Sequence, residues 1–273
     1  MAAGGRLRRP LIFVAARIKD VDGRELDRVV VVLVRARNPN NIGAVARAMH
    51  DFGFRHLRVV NEYCVPFETA RSAVDATEVL AGAAAFSRVA DAVADCTLVV
   101  GTTAGGERAL QHPLYVLREA AGGIGVELAR ESGRVALLFG SEKTGLSNDE
   151  LSHCHWLLTI PMAQYEKVRH PSMNLGQAVA VCLYELVRSP GVATVPVSRA
   201  DFGAAEAVEL ERLTALLTEV LEETGYTKRH PANCDEGQIR RLVLRMGGAA
   251  SDVPVWMGIL RQILWKVRGI GNG

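Results

Sequence analysis

Short apolar runs alternate with longer amphipathic stretches from residue 28 onwards, an alternation typical of an α/β fold. The runs are largely continuous, as expected of strands that are covered on both faces of a parallel sheet. They predict strands at residues 29–34, 56–60, 97–101, 135–139 and 156–160. The fold class we expect is therefore a mainly parallel sheet with helices on both faces.

Helical periodicity fills the gaps between these strands and continues in the last quarter of the chain. Within the α/β part, it predicts helices at residues 41–52, about 69–85, 114–130 and 174–188. Three further helices, predicted at residues 206–224, 236–246 and 255–267, are enough for a small all-α unit packed on the main domain.

The same pattern divides the chain into four segments. These are a basic N-terminal arm (1–28), an α/β domain (29–188), a linker with two prolines (189–204) and a helical C-terminal domain (205–273). The arm could touch RNA, or it could simply be a variable terminus.

Composition excludes several classes of protein. Of the 273 residues, 49% are hydrophobic and 23% are charged, which excludes an intrinsically disordered chain. A net charge of +2 carries no polybasic signature, so any contact with nucleic acid has to be local. Five scattered cysteines without a C-x-x-C pair argue against a disulfide framework or a zinc ribbon and favour the reducing cytoplasm. No run approaches the roughly 20 apolar residues of a membrane span, so we expect no membrane partner.

The first candidate for chemistry is the segment 37–49, RNPNNIGAVARAM, which runs from a loop into a helix. On a helical wheel, Arg47 and Gly43 fall opposite the apolar side. One interpretation of Arg47 is a surface ion pair with Asp51. The other is a phosphate clamp, because Asn and Gly at a helix start bring backbone donors close to an anion that a nearby arginine also binds.

The second candidate is the segment 139–147, FGSEKTGLS, at the end of an apolar strand, where ligands of open α/β sheets collect. It is not a nucleotide phosphate loop, since Leu146 stands where G-x-x-x-x-G-K-[ST] needs lysine. Nor is it a nucleophile elbow, since Phe139 and Lys143 stand at the two glycine positions of G-x-S-x-G.

The third candidate follows the strand at 156–160 and includes Ser172 and Asn174, just before a helix. Either residue could simply be an N-cap. Three predicted strands nevertheless end in polar or glycine clusters, at 102–104, at 140–142 and after 160, and this predicts one shared pocket. His153, Cys154 and His155 are metal-ligand types, but neighbours in an extended segment alternate faces, so we expect no metal site.

The three segments resemble the SPOUT class of RNA 2'-O-methyltransferases, in particular its TrmH/TrmJ-like branch. The similar motifs are Asn41-x-Gly43-x-x-x-Arg47, then Gly140-x-Glu142-x-x-Gly145-Leu146-Ser147, then Ile160-Pro161 followed by Ser172-Met173-Asn174-Leu175. The resemblance spans about residues 29–188, and the ordered set is more specific than any one motif. The run at 259–264, ILRQIL, adds a weaker similarity of the helical tail to the TrmJ group.

This resemblance implies a fold, a cofactor and a site. The C-terminal part of the sheet domain would be threaded into a trefoil knot whose loops bind S-adenosylmethionine. The implied cofactor-binding residues are Thr102, Thr103, Ala104, Gly140, Ile160, Pro171, Ser172 and Met173. The implied catalytic residues are Arg47, Asn41, Glu142, Ser172 and Asn174. Such enzymes are homodimers, so Asn41 and Arg47 would act on a methyl donor held largely by the partner chain.

Transfer of a methyl group from a sulfonium to a ribose 2'-hydroxyl is an in-line displacement, which requires alignment of the oxygen with the methyl group. A guanidinium stays protonated at neutral pH and is a poor general base. We therefore expect Arg47 to clamp the target phosphate, while the phosphate or a water accepts the proton. Glu142 is expected to orient Arg47 or a loop amide.

The resemblance to the TrmJ group, which includes the helical tail, implies tRNA as the substrate, methylated on a cytidine or uridine at position 32 of the anticodon loop; no DNA partner is expected. The alternatives are ribosomal RNA and a non-catalytic RNA-binding module that retains the fold; the intact set of candidate catalytic residues argues against the module. Residues 35–58 carry a net charge of +4, plausible as a phosphate track, although Arg55 and Arg58 are also readable as ordinary solvated charges. The arginines of this track are Arg35, Arg37, Arg47, Arg55 and Arg58.

Overall fold

The sheet is the centre of the molecule. The structure, a computed structural model, describes residues 23–61, 76–104, 110–163, 172–188, 203–246 and 249–270. Its strands are β1 (Val29–Val34), β2 (His56–Val60), β3 (Ala84–Phe86), β4 (Leu98–Thr102), β5 (Leu114–Val116), β6 (Val135–Phe139) and β7 (Trp156–Thr159). They form one seven-stranded sheet in the order β3-β2-β1-β6-β4-β7-β5, and every neighbouring pair is parallel. The predicted parallel sheet is confirmed.

Helices connect these strands and continue beyond them. In the α/β part they are α1 (Gly23–Leu26), α2 (Pro39–Asp51), α3 (Thr77–Ala81), α4 (Val89–Ala92), α5 (Leu117–Leu128), α6 (Asn148–Ser152) and α7 (Leu175–Arg188). The C-terminal helices are α8 (Ala207–Glu223), α9 (Tyr226–Arg229), α10 (Glu236–Met246) and α11 (Val253–Ile270), with a 3-10 turn at Pro231–Asn233. Residues 1–22 of the predicted arm and 189–202 of the predicted linker lie outside the described residues.

Both faces of the sheet are covered, as the continuous apolar runs predict. All six residues of β1 are buried. Val29, Val31 and Leu33 pack on the side of α2, α5 and α7, while Val30 and Val32 pack on the side of α4 and α6. Each such side chain contributes about 1.5–3 kcal/mol on burial, so burial on both faces favours β1 as an interior strand of the sheet.

Helix α2 carries the first motif, and its ends are set by local sequence. Asn38 is the N-cap, since its side chain accepts from the backbone N–H of Asn40 at 3.0 Å, and Pro39 opens the first turn. At the other end Gly53 adopts φ +83°, and the N–H of Phe54 donates to the carbonyl of Met49 at 2.8 Å. This Schellman ending turns the chain directly into β2.

Two predicted helices are partly wrong because short edge strands replace their ends. For the stretch predicted at 69–85, the described part is α3 followed by β3, which pairs with β2; residues 62–75 lie outside the described residues. Alanine-rich sequence favours a helix, but pairing at the sheet edge prevails after Gly82. The helix predicted at 114–130 begins only at Leu117, because Leu114–Val116 pair with β7 as the exposed edge strand β5.

The expected exposure of Gly43 is also wrong. Gly43 is buried within α2, which packs against α7. The two helices approach closely near Gly176, where an added Cβ would lie 2.7 Å from the Cβ of Ala44. Arg47 is exposed, as predicted.

The three predicted C-terminal helices are present as α8, α10 and α11, which pack around a separate apolar cluster that includes Leu213, Val220 and Leu260. This unit contacts the sheet domain through α4 and α6. Among the described helices, none is both long enough and apolar enough to cross a membrane. The trefoil knot stays a prediction.

Candidate active site

A cavity of about 480 Å³ opens at the carboxyl ends of β4, β6 and β7, which are neighbours in the sheet. The end of β4, the loop 139–146 and the segments on either side of 164–171 form its walls. Three strand ends therefore do meet at one pocket, as their polar clusters predict.

Most of the implied cofactor residues lie in the wall of this cavity: Thr102, Thr103, Ala104, Gly140, Ile160, Ser172 and Met173. Pro171 lies outside the described residues. The sequence reasoning missed the apolar part of the wall, formed by Phe139, Leu146, Leu151, Leu158, Met162 and Leu175. Several of these residues belong to the apolar strands or directly follow them. The apolar residues at and just beyond the predicted strand ends could therefore have indicated this part of the wall.

The loop 140–146 is a tight turn closed by its own backbone. The N–H of Gly145 donates to the carbonyl of Ser141 at 2.8 Å, and Gly145 adopts φ +67°, a conformation that favours glycine. An added Cβ at Gly140 would lie 2.1 Å from the carbonyl carbon of Gly145. Both glycines of the second motif are thus required by the shape of the cavity wall.

Asn41 brings all three motifs together. Its Nδ2 donates to Oε1 of Glu142 at 2.7 Å, and its Oδ1 accepts from Nδ2 of Asn174 at 3.2 Å. Asn174 also accepts from the backbone N–H of Gly176 at 3.0 Å, so it caps α7 as well. Asn41 therefore contacts two other predicted catalytic residues, and Glu142 is hydrogen-bonded to Asn41 rather than to Arg47 of the same chain.

Ser172 and Arg47 lie apart from this network. Ser172 is exposed and lines the cavity. Arg47 is exposed on α2 and does not line the cavity of its own chain; its guanidinium forms no hydrogen bond or ion pair within the part of the chain that the structure describes. The alternative interpretation of Arg47, an ion pair with Asp51, is not formed, and Oδ1 of Asp51 instead lies 3.5 Å from Nδ1 of His50.

Two arginines of the predicted phosphate track are bound to carboxylates. Arg35 makes a two-pronged contact with Glu150 at 2.6 and 2.9 Å, and Arg58 does the same with Asp95 at 2.6 and 2.8 Å. The hydrogen bonds from Arg58 lower the pKa of Asp95 to about 2. The solvated interpretation of Arg58 is therefore wrong, and the exposed members of the track are Arg37, Arg47 and Arg55.

The histidines beside Cys154 are accounted for by local contacts. Nδ1 of His155 accepts from the backbone N–H of Val99 at 3.1 Å, and burial lowers the pKa of His155 to about 4. Burial, helped by the nearby charge of Arg240, lowers the pKa of His153 to about 4. Across the described ranges, no three His, Cys, Asp or Glu side chains are grouped so as to hold a metal ion.

Comparison with known proteins identifies the family. The sequence model of the SpoU rRNA Methylase family matches residues 28–184. The tRNA (cytidine/uridine-2'-O-)-methyltransferase TrmJ of Sodalis glossinidius is 34% identical over 87% of this chain and 92% of its own length. The protein of the same name from Yersinia enterocolitica is 33% identical over the same shares.

A solved structure agrees with these relatives. The crystal structure of TrmJ from Z. mobilis ZM4 superposes with a TM-score of 0.70 at 29% identity, over 86% of this chain and 98% of that one. The family model matches more than half of the chain, and the matched part contains the cavity at the strand ends and the three motifs around it. The chain belongs to the SpoU methylase family and is an RNA methyltransferase.

Proposed function

We propose that this enzyme transfers the methyl group of S-adenosylmethionine to the ribose 2'-hydroxyl of a cytidine or uridine in tRNA, at position 32 of the anticodon loop. The observation that carries the proposal is the contact between Asn41, Glu142 and Asn174, which joins all three motifs beside the cavity. The named tRNA methyltransferase relatives match 87% of this chain, well beyond the family match that ends at residue 184. That extent favours tRNA over ribosomal RNA.

The cavity suits the proposed cofactor. Its volume of about 480 Å³ falls within the range of about 300–1,000 Å³ common for cofactor and ligand pockets. The wall combines Thr102, Thr103 and loop 140–146 with apolar residues such as Leu158 and Ile160. This mixture fits a molecule with a polar amino-acid and ribose part and a flat adenine ring that packs against apolar side chains. Bound there, the sulfonium supplies an electrophilic methyl group and a neutral leaving group.

The residues beside the cavity would align the ribose. Asn41 is held between Glu142 and Asn174, so its side-chain amide keeps one orientation. Ser172, exposed in the wall, is placed to bind the target hydroxyl or its phosphate. Arg47 clamps the phosphate with its planar fork, and the phosphate or a water accepts the proton of the 2'-hydroxyl.

A homodimer completes the site in this proposal. Arg47 does not line the cavity of its own chain, which supports an action on the cavity of the partner. On α7, the neighbour of α2, Tyr184 is half exposed and packs against Phe52, leaving an aromatic surface beside the first motif. Two-fold symmetry would build two identical shared sites.

The organisation of the chain is part of the proposal. A sheet domain over 29–188 holds the cofactor, and a helical domain over 205–273 has its own apolar cluster, which supports treating it as a unit. A cytoplasmic location agrees with the free thiols of the buried Cys96, Cys154 and Cys182.

The test is methyl transfer with purified components. The enzyme is incubated with labelled S-adenosylmethionine and either bulk tRNA or ribosomal RNA, and ribose methylation is mapped by resistance to alkaline hydrolysis. We expect label in tRNA, in one alkali-resistant dinucleotide. Label in ribosomal RNA alone would contradict the proposed substrate. Absence of S-adenosylmethionine binding in calorimetry would favour the non-catalytic module.

A further inference from the structure

Helix α6 lies between the cofactor cavity and the C-terminal helices. Leu151 lines the cavity from this helix, while its neighbours on either side bind arginines from other parts of the chain. Glu150 binds Arg35, which follows β1, and Ser152 binds Arg240 of α10. This five-residue helix therefore contacts the cavity through one residue and is hydrogen-bonded through its two neighbours to two other parts of the chain.

Arg35 connects α6 to the cavity loop. Besides its two contacts with Glu150, its Nη2 donates to the carbonyl of Gly145 at 2.9 Å, and its Nη1 donates to Oγ1 of Thr144 at 3.4 Å. Thr144 and Gly145 both line the cavity. Arg35 adopts φ +57°, a left-handed conformation that non-glycine residues rarely adopt, which directs the guanidinium from the end of β1 over the loop.

Glu150 is suited to hold this arginine. It also accepts from the backbone N–H of Ser147 at 2.6 Å as the second half of a capping box at the start of α6. Burial opposes the charge on Glu150, but the hydrogen bonds from Arg35 and Ser147 outweigh it and keep the pKa of Glu150 below its usual value. The loop and the helix start are thereby tied through one ionised carboxylate.

Arg240 fixes the other end of α6. Its side chain is only 6% exposed and makes a two-pronged contact with Glu211 of α8 at 2.8 and 2.9 Å, together with a bond to Glu236 at 2.6 Å. The remaining nitrogen, Nη1, donates to Oγ of Ser152 at 2.8 Å. Oγ of Ser152, fully buried, donates to the carbonyl of Asp149 at 2.6 Å. A buried guanidinium with all of these acceptors is held rigidly, because moving it would leave a buried charge without its partner.

We propose that Arg240, which acts through α6, and Arg35, which links α6 directly to loop 140–146, are positioning residues that hold this loop in its cofactor-binding shape. The helical C-terminal unit thereby sets the affinity for S-adenosylmethionine. This inference rests on the proposed function, since it names a control on the same cofactor. The C-terminal helices then tune the cavity directly, in addition to any contact that they make with RNA.

The experiment measures the dissociation constant for S-adenosylmethionine by calorimetry, without RNA, on the full chain. Ser152→Ala removes the hydrogen bond between Arg240 and α6 but keeps the bonds of Arg240 to Glu211 and Glu236. Arg35→Gln removes the ion pair that joins loop 140–146 to the start of α6. We expect each to weaken binding about threefold to tenfold, the range in which contiguous networks couple two sites. The matched control is Arg268→Gln, which breaks ion pairs to Glu219 and Glu223 inside the C-terminal unit and does not touch α6. Its dissociation constant should equal that of wild type.

A purely structural role is separated from positioning by two further readouts. The melting temperature of each variant is measured first. Binding is then measured far below that temperature, where the chain is folded. A residue that only stabilises the fold leaves the dissociation constant for S-adenosylmethionine unchanged under these conditions. In turnover with tRNA, KM for S-adenosylmethionine should rise more than KM for tRNA. In the double variant Ser152→Ala/Arg35→Gln, cofactor binding should be weakened by less than the product of the single effects, because both residues belong to one series of contacts between α10 and loop 140–146.

Unchanged binding in both single variants would overturn the inference while leaving the proposed function intact. Equal weakening in Arg268→Gln would also overturn it, since general loosening of the C-terminal helices would then be the cause. Failure of the wild-type chain itself to bind S-adenosylmethionine would remove the proposed function and the inference with it.

Discussion

Gly140→Ala should damage the cofactor cavity far more than the addition of one methyl group suggests. An added Cβ would lie 2.1 Å from the carbonyl carbon of Gly145 and 2.2 Å from the backbone nitrogen of Leu146, whereas non-bonded carbons meet at about 3.5–4.0 Å. The backbone of loop 140–146 must therefore move by more than about 1 Å. Overpacking of this kind typically costs about 1–3 kcal/mol.

The displaced backbone is itself part of the cavity wall, so the cost should appear in cofactor binding. We expect the dissociation constant for S-adenosylmethionine, measured by calorimetry, to rise about tenfold or more, which corresponds to about 1.4 kcal/mol. The matched control is Gly122→Ala in α5, where an added Cβ meets nothing within 4 Å. That change should leave binding unaffected and raise the free energy of unfolding by up to about 1 kcal/mol, since alanine favours a helix.

If Gly140→Ala binds S-adenosylmethionine within about twofold of wild type and unfolds at the same urea concentration, the close packing of Gly140 on Gly145 does not define the site. Equal weakening in Gly122→Ala would show that the assay reports general damage rather than the shape of the loop.

Three further predictions concern the residues around the cavity. Arg47→Ala should lower turnover by well over tenfold and leave calorimetric cofactor binding within about twofold; a loss smaller than tenfold, about 1.4 kcal/mol of barrier, would contradict the clamp. An equimolar mixture of inactive Arg47→Ala and inactive Ser172→Ala chains should recover up to about a quarter of wild-type activity after subunit exchange, because half of the dimers would hold one intact shared site; no recovery would place both residues in one chain's site. Finally, the pKa of Asp95 is about 2, below its ordinary value of 3.8. Its pairing therefore stabilises the fold above about pH 3.8, and this contribution is lost as pH falls towards 2. In Arg58→Met, the free energy of unfolding measured in urea should fall less steeply between pH 3.8 and pH 2 than in wild type. An unchanged pH dependence would contradict the pairing of Arg58 with Asp95.

The sheet was predictable because burial on both faces leaves a continuous apolar signature, as in β1 and β6. The short edge strands β3 and β5 were not predictable. Ala84–Phe86 and Leu114–Val116 are largely exposed, and what makes them strands is pairing with β2 and β7 rather than any local preference. A neighbouring strand far away in sequence is information that a local pattern does not contain.

The site shows the same division. Strand ends and motifs predicted the residues around the cavity, because parallel strands deliver their carboxyl ends to one edge of the sheet. The pairing of Arg35 with Glu150, 115 residues apart, could not be predicted, and it moves one arginine from the expected phosphate track to the support of the cavity loop. Net charge along a segment does not reveal which cations are already bound to carboxylates.

Methylation of the 2'-hydroxyl of nucleotide 32 is tested most directly with a tRNA transcript that lacks only this hydroxyl. The wild-type enzyme is incubated with labelled S-adenosylmethionine and either this 2'-deoxy transcript or the matched all-ribose transcript. We expect about one methyl group per all-ribose transcript and none on the 2'-deoxy transcript. Equal labelling of the two would contradict a 2'-hydroxyl acceptor at that position.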